Sequence, residues 1–261
     1  MENEALIRLS AFVGLFALFA LMEAVWPRRE TTRKRWGTNW ALVLVDTFAL
    51  RLMAILVPFL AIAAAVDAGR QGWGLFNAID WPLWLEAVLA IVILDFVVWG
   101  HHVLNHKVDL FWRFHRVHHA DEEMDVTTAI RFHPLESVIS MIVKVGTVYL
   151  LGPTALAVLL FEVILNGSAM FNHSNTKLPL WLDRRLRWFM ITPDMHRIHH
   201  SADRTEHDSN YGFALSIWDR LFGTYTVNPN GGHDGMTVGL RWRNGESRRL
   251  GWSLVLPFKK L

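Results

Sequence analysis

The sequence predicts an all-α fold: an integral-membrane helical bundle of about four transmembrane helices, with a cytoplasmic helical cap rich in histidine. Two observations carry this. Of 261 residues, 52% are hydrophobic and only 19% charged, below the charged quarter usual in soluble domains, and the apolar residues gather in runs long enough to cross a bilayer. All 13 histidines fall between His101 and His233. An anchor with little chemistry therefore precedes the part that holds the chemistry, and no Gly/Ser/Pro-rich linker separates them. The chain reads as one unit, 1–261, in which 1–100 is mainly anchor, 101–225 the histidine region and 226–261 a C-terminal cytoplasmic tail. The absence of cysteine excludes a disulfide scaffold and a thiolate metal site, and a net charge of +2 gives little reason to expect a nucleic-acid partner.

The first span is 6–26, interrupted only by Arg8, Ser10 and Glu23; about twenty residues at about 1.5 Å each cross a hydrocarbon core of roughly 30 Å. Its acidic start (Glu2, Glu4), and the lack of a small-residue cleavage site before Trp26-Pro27-Arg28, argue against a signal peptide. Arg28, Arg29, Arg33, Lys34 and Arg35, opposed only by Glu30, form a short basic loop that the positive-inside bias keeps cytoplasmic, so the N-terminus faces outward. The stretch 40–66 returns across the membrane. Its Asp46, Arg51 and Pro58 predict a helix packed against others, with Asp46 and Arg51 placed to pair. An external loop over 67–80 leads to a third helix that starts at Pro82 and runs through Asp95 toward His106. The stretches 137–151 and 154–173 form a hairpin hinged at Gly152-Pro153. In 178–190, Trp181, Leu182, Leu186, Trp188 and Phe189 interleave with Arg184, Arg185 and Arg187, as in a helix lying in the interface.

The histidines follow a pattern. His102-x-x-x-His106 sets two imidazoles one turn apart on a helix, His115-x-x-His118-His119 sets three on one side, and His196-x-x-His199-His200 repeats that spacing. His173, in Phe171-Asn172-His173-Ser174-Asn175, brings the candidates to nine. Nine imidazoles exceed what one tetrahedral zinc uses, so a dimetal site with four or five nitrogens per ion is the better fit; imidazole alone does not choose among iron, zinc and copper. No H-E-x-x-H occurs, which removes the helix-borne zinc-protease pattern. His133 is a further candidate, as a ligand or as a neighbour of one. His101 could replace His102, and Asn166, seven residues before His173, could hold a metal-bound water. His207 and His233 read as ordinary surface or hydrogen-bonded residues. Asp95, Asp109, Glu136, Asp194 and Asp219 could accept the second ring N–H of a ligand, Asp95 above all because it lies deep in an apolar helix. Arg131, Asn175 and Asn210 would orient loops around the site.

These motifs resemble the fatty acid hydroxylase / sterol desaturase superfamily of integral-membrane histidine-box enzymes. The resemblance covers roughly 95–225. It rests on His102-x-x-x-His106, Phe111-Trp-Arg-Phe-His115-Arg-Val-His118-His119, Arg131-Phe-His-Pro-Leu-Glu136, Asn172-His173-Ser-Asn175, His196-Arg-Ile-His199-His200, and Asn210-Tyr-Gly through Trp218-Asp-Arg-Leu-Phe-Gly-Thr-Tyr225. It implies a four-helix anchor under a cytoplasmic pair of irons, with zinc possible in purified protein, ligated by His102, His106, His115, His118, His119, His173, His196, His199 and His200. It further implies O2 as co-substrate and hydroxylation or desaturation of a lipid C–H bond, in a bacterial inner membrane or the endoplasmic reticulum. Some relatives carry a fused cytochrome b5 domain. Here the anchor fills the N-terminal part, so electrons are expected from a separate donor of ferredoxin, cytochrome b5 or reductase type. The first box departs from the family at Val103, where an arginine is common, and this leaves the subfamily open. The alternatives are a metal-dependent membrane hydrolase, whose turnover would not need O2, and a non-catalytic membrane metal-binding protein.

Overall fold

A computed structural model describes residues 3–56, 60–242 and 244–260. The helices are α1 (Glu4–Val25), α2 (Trp36–Leu56), α3 (Ala61–Gln71), α4 (Leu83–Lys107), α5 (Asp109–His119), α6 (Pro134–Leu151), α7 (Ala155–His173), α8 (Leu180–Leu186), α9 (Pro193–His199), α10 (Arg204–His207), α11 (Ile217–Leu221), α12 (Gly232–Gly235) and α13 (Leu250–Val255). Among the described residues short 3-10 turns link them and β structure is limited to isolated bridges. Five helices, α1, α2, α4, α6 and α7, are long and apolar enough to cross a membrane, which counts both arms of the expected hairpin. The chain is an integral membrane protein. Its outer surface fits that setting: Ile55, Leu83 and Leu150 are 77%, 75% and 76% exposed, while Asp46, Asp95 and Glu136 on the same helices are buried, the inverse of a water-soluble bundle.

The second span differs from the sequence reading. In place of one helix over 40–66 there are two, α2 and α3, and Pro58 lies outside the described residues. α3 is amphipathic, buries Ala61, Ile62, Ala64, Ala65 and Ala68, and ends at left-handed Gly72 (φ 68°), so it takes up the first part of the expected 67–80 loop. Asp46 and Arg51 do not pair. Five residues apart they lie about 140° round the helix from one another; Asp46 accepts from Ser137 Oγ (3.1 Å) while Arg51 is exposed. At the hinge, α6 stops at left-handed Gly152 (φ 64°), and Gly74 passes so close that a Cβ there would fall 2.3 Å from the Gly152 nitrogen. Only glycine permits that approach.

Three features hold the cap over the anchor. Glu23, near the end of α1, accepts from the backbone N–H of Val126 (3.0 Å) and of Asn175 (2.9 Å). Buried Arg35 pairs with Asp121, Glu123 and Asp125, so part of the basic loop is consumed by the acidic run that follows α5. The C-terminal stretch packs into the body: Trp252 and Leu256 share a core with Leu42, Val117 and Ala120, and Ser253 Oγ accepts from Arg131 Nη2 (2.8 Å). The expected interfacial helix is shorter than 178–190, and Leu180, Trp181, Trp188 and Phe189 around it are exposed.

Candidate metal centre

The nine candidate histidines come from four elements. His102 and His106 end α4, His115, His118 and His119 end α5, His173 ends α7, and His196, His199 and His200 belong to α9 and its C-cap. α9 has only seven residues; it starts because Thr192 Oγ1 caps Met195 N–H (3.4 Å) and Pro193 occupies the first helical position. None of the nine histidines is more than 4% exposed.

Their ring nitrogens fall into two groups, His102, His106, His115, His119 and His199 in one and His118, His173, His196 and His200 in the other, with one nitrogen from each member within 4.8 Å of the rest. The two H-x-x-H-H boxes are split crosswise. Positions i and i+4 lie about 40° apart on a helix, whereas i+3 lies about 100° from i+4, so each box sends its i, i+4 pair one way and its middle histidine the other. α5 gives the pair to the five-membered group and His118 to the four; α9 gives its pair to the four and His199 to the five.

The donor set fits two metal ions. His102 Nε2 faces His115 Nε2 at 3.0 Å, and His173 Nε2 faces His118 Nε2 at 3.0 Å and His196 Nε2 at 3.1 Å. Two nitrogens at about 2.1 Å from one metal and at right angles to it would be about 3.0 Å apart. His199 Nε2 and the ring nitrogens of His106, His119 and His200 are buried without a hydrogen-bond partner, a costly state that coordination would relieve at one nitrogen of each ring. Burial pushes the His115 imidazole down to about 3 and holds those of His118, His119, His196, His199 and His200 well below the usual histidine range. They are neutral at pH 7, the form that ligates metals. In five of the nine, Nδ1 meets an oxygen: Tyr211 O with His102 (2.6 Å), Glu136 Oε1 with His115 (2.6 Å), Arg131 O with His118 (3.2 Å), Ala169 O with His173 (2.7 Å) and Ser209 O with His199 (2.8 Å). Donation there leaves Nε2 free to coordinate.

Of the carboxylates expected to touch a ring nitrogen of these histidines, Glu136 does. Asp95 accepts from Ala214 N–H, Leu215 N–H and Trp218 Nε1, and Asp219 accepts from Tyr211 N–H and Gly212 N–H. Both hold the loop whose Tyr211 carbonyl meets His102, and so act one step removed. Asp194 pairs with Arg28 (3.2 Å), and Asp109 is exposed. His133 stands outside both groups and caps α6, its Nδ1 accepting from Leu135 N–H (3.2 Å). His101 also stands outside, beside Ser140 Oγ at 3.5 Å. Arg131 donates to Val117 O, Asn39 Oδ1 and Ser253 Oγ, Asn175 bonds Arg29 O, and left-handed Asn210 bonds Met195 O and Thr226 O. Sequence reasoning missed Asp208, which lies with His207 beside His106, and the Arg35 clamp, whose signal was the acidic run Asp121 to Asp125 facing a basic loop.

A cavity of about 250 Å³ opens between α4, α6 and α7 and ends on His102 and His115. Leu94, Val98, Phe161 and Leu165 line it with Ser137 and Ser140, and exposed Asn166 lies in its wall, outside both histidine groups.

A family model described as fatty acid hydroxylase matches residues 87–224. Among curated proteins, an ornithine lipid hydroxylase of Rhizobium tropici is 29% identical over 84% of this chain and 66% of its own length. Human alkylglycerol monooxygenase is 31% identical over 59% of this chain and 34% of its own length. A cholesterol 25-hydroxylase-like protein of Danio rerio is 24% identical over 86% of this chain and 94% of its own length. The chain thus spans just under two thirds of the Rhizobium relative and about a third of the human one. No solved structure matches. The family match takes in every box that builds the two histidine groups, and the chain belongs to the fatty acid hydroxylase family.

Proposed function

We propose that this protein is a membrane-bound di-iron oxygenase that hydroxylates, or desaturates, a C–H bond of a lipid, using O2 and electrons supplied from outside the chain. The observation that carries the reading is the junction of two features: an intramembrane cavity whose inner end is made by His102 and His115 of the five-histidine group. The named relatives act on lipids, as ornithine lipid hydroxylase and alkylglycerol monooxygenase, which supports a lipid substrate here. The nine histidines would hold the metals, five and four. Bound iron would supply reduction of O2 and attack on an unactivated C–H bond.

The chain's own residues do the rest. Leu94, Val98, Phe161 and Leu165 give the substrate an apolar bed and keep water from the reacting carbon. Glu136 fixes the orientation of His115 by taking its Nδ1–H, and Asp95 and Asp219 fix the Tyr211 carbonyl that does the same for His102. The short basic loop supports an orientation with the N-terminus outside and the histidine boxes and C-terminus cytoplasmic. An inert metal-binding protein would need no apolar cavity meeting the histidines, and a hydrolase would turn over without O2.

The test is ¹⁸O2 labelling. Detergent-purified protein, loaded anaerobically with ferrous iron and given a chemical reductant and a membrane lipid extract, is expected to yield a lipid product bearing one ¹⁸O atom, or a desaturated one formed only with O2. Product formed without O2, or no product across neutral, acidic and zwitterionic lipid fractions, would contradict the oxygenase reading.

A further inference from the structure

On the face of the cap away from the intramembrane cavity, the chain forms a basin of about 410 Å³. Its charged lining is Arg113, Arg116, Arg204 and Arg241 against one carboxylate, Asp109. Arg113, Arg204 and Arg241 are exposed. Of two further acids beside these arginines, Asp208 is engaged by Lys107 at 2.7 Å and stands 3.9 Å from Arg204, and Asp203 stands 3.8 Å from Arg241, so the lining keeps a positive surplus. It also lies close to the histidines. Trp112 lines the basin, stacks on His207 (ring centroids 5.2 Å) and on its inner side lies 5.1 Å from the His106 ring and 5.4 Å from that of His119. His106 and His119 belong to the group that also borders the lipid cavity. One aromatic ring thus separates a cationic surface from a buried metal-ligand group.

We propose that this basin is the docking surface for a small acidic one-electron carrier protein, with Trp112 as the contact through which electrons enter. The proposal rests on the oxygenase reading. Each docking oxidises the carrier by one electron and reduces the histidine-ligated centre by one. Two dockings supply the electron pair that, with two protons, turns one O2 and one C–H bond into a C–OH group and water. A cationic surface of this kind acts chiefly on the encounter rate of an oppositely charged partner. A lipid substrate has no use for it, since the lipid cavity meets the histidines from the membrane side.

The experiment uses the full chain in detergent and a plant-type [2Fe–2S] ferredoxin as the acidic probe. It compares wild type, R113E/R204E/R241E, the milder R113Q/R204Q/R241Q, and K34E as a charge change at an exposed basic residue outside the basin. Two readouts are taken: the ferredoxin association rate, and lipid oxidation driven by reduced ferredoxin or by dithionite. Association at low salt is expected to slow about tenfold or more in the triple reversal, less in the glutamine variant and little in K34E, and the gap is expected to close as salt rises. Dithionite-driven oxidation should be unchanged in all of them. Ferredoxin that fails to bind wild type, or binds the triple reversal as well as wild type, overturns the docking surface. So does a triple reversal that loses both electron routes equally. Failure of the oxygenase reading looks different: no dithionite-driven oxidation in wild type, whatever the association rates.

Discussion

The boxes on α5 and α9 share a spacing but not a setting. α5 is an eleven-residue helix continuing from α4 across Val108, and the acidic run behind it is gripped by Arg35, 1% exposed. α9 is a seven-residue helix started by Thr192 and Pro193 and tied down from outside, by Arg28 on Asp194 and by Asn210 on the Met195 carbonyl. Each box gives its i, i+4 pair to one histidine group and its middle histidine to the other, in opposite senses. The difference teaches that the repeated motif does not make one metal site per helix. It interlocks the two histidine groups, so that each is completed by both helices.

The strongest way to break this comparison is to remove the middle histidines. His118→Ala and His199→Ala each take one nitrogen from a different group, and each is expected to lower lipid oxidation by more than about 100-fold, beyond the range for partners that merely orient ligands. Steady-state product formation under chemical reduction measures it.

The next largest effect concerns the supports. Arg35→Met leaves Asp121 and Asp125 buried without their cation and is expected to cost about 3–5 kcal/mol, whereas Arg28→Ala at the more open Asp194 pair should cost about 1 kcal/mol or less. Thermal unfolding of the two variants in detergent should put Arg35→Met well below Arg28→Ala; equal midpoints would mean that the α5 and α9 supports do not differ in kind.

Glu136→Gln sharpens the contrast between the groups. It weakens the acceptor that fixes His115, and should reduce metal affinity by about 10- to 100-fold in the five-histidine group while leaving the four-histidine group intact. Competition with a graded chelator would show one metal released early and the other late. The smallest effect belongs to the lipid-facing surface. Leu150→Ala, at a position 76% exposed, should shift stability by about 0.5 kcal/mol or less; a large loss would mean that another part of the protein covers that face.

Much of this was legible in the sequence, for reasons that differ by region. The spans could be read because a bilayer demands about twenty apolar residues whatever they pack against, and residues Leu83 to Lys107 form a helix as their composition requires. The boxes could be read because histidines at i, i+3 and i+4 share one side of a helix. The crosswise split could not, since it depends on how α5 and α9 face each other, and nothing in His115-x-x-His118-His119 records that. The carboxylates were misjudged for a similar reason. Asp95 and Asp219 are buried near the centre, but backbone N–H groups of 211–215 claim them before any imidazole does. Local pattern shows that a buried acid needs a partner, and only the tertiary structure says which.

The most direct test of the interlocked centre is to locate and count metals in four single variants, His118→Ala, His119→Ala, His199→Ala and His200→Ala, by metal analysis and anomalous diffraction at the metal edge. Each variant should keep about one metal per chain. His118→Ala and His200→Ala should keep the ion of the five-histidine group, and His119→Ala and His199→Ala that of the four. If the loss instead follows the helix, with His118→Ala matching His119→Ala and His199→Ala matching His200→Ala, each box makes its own site and the interlocked account is wrong.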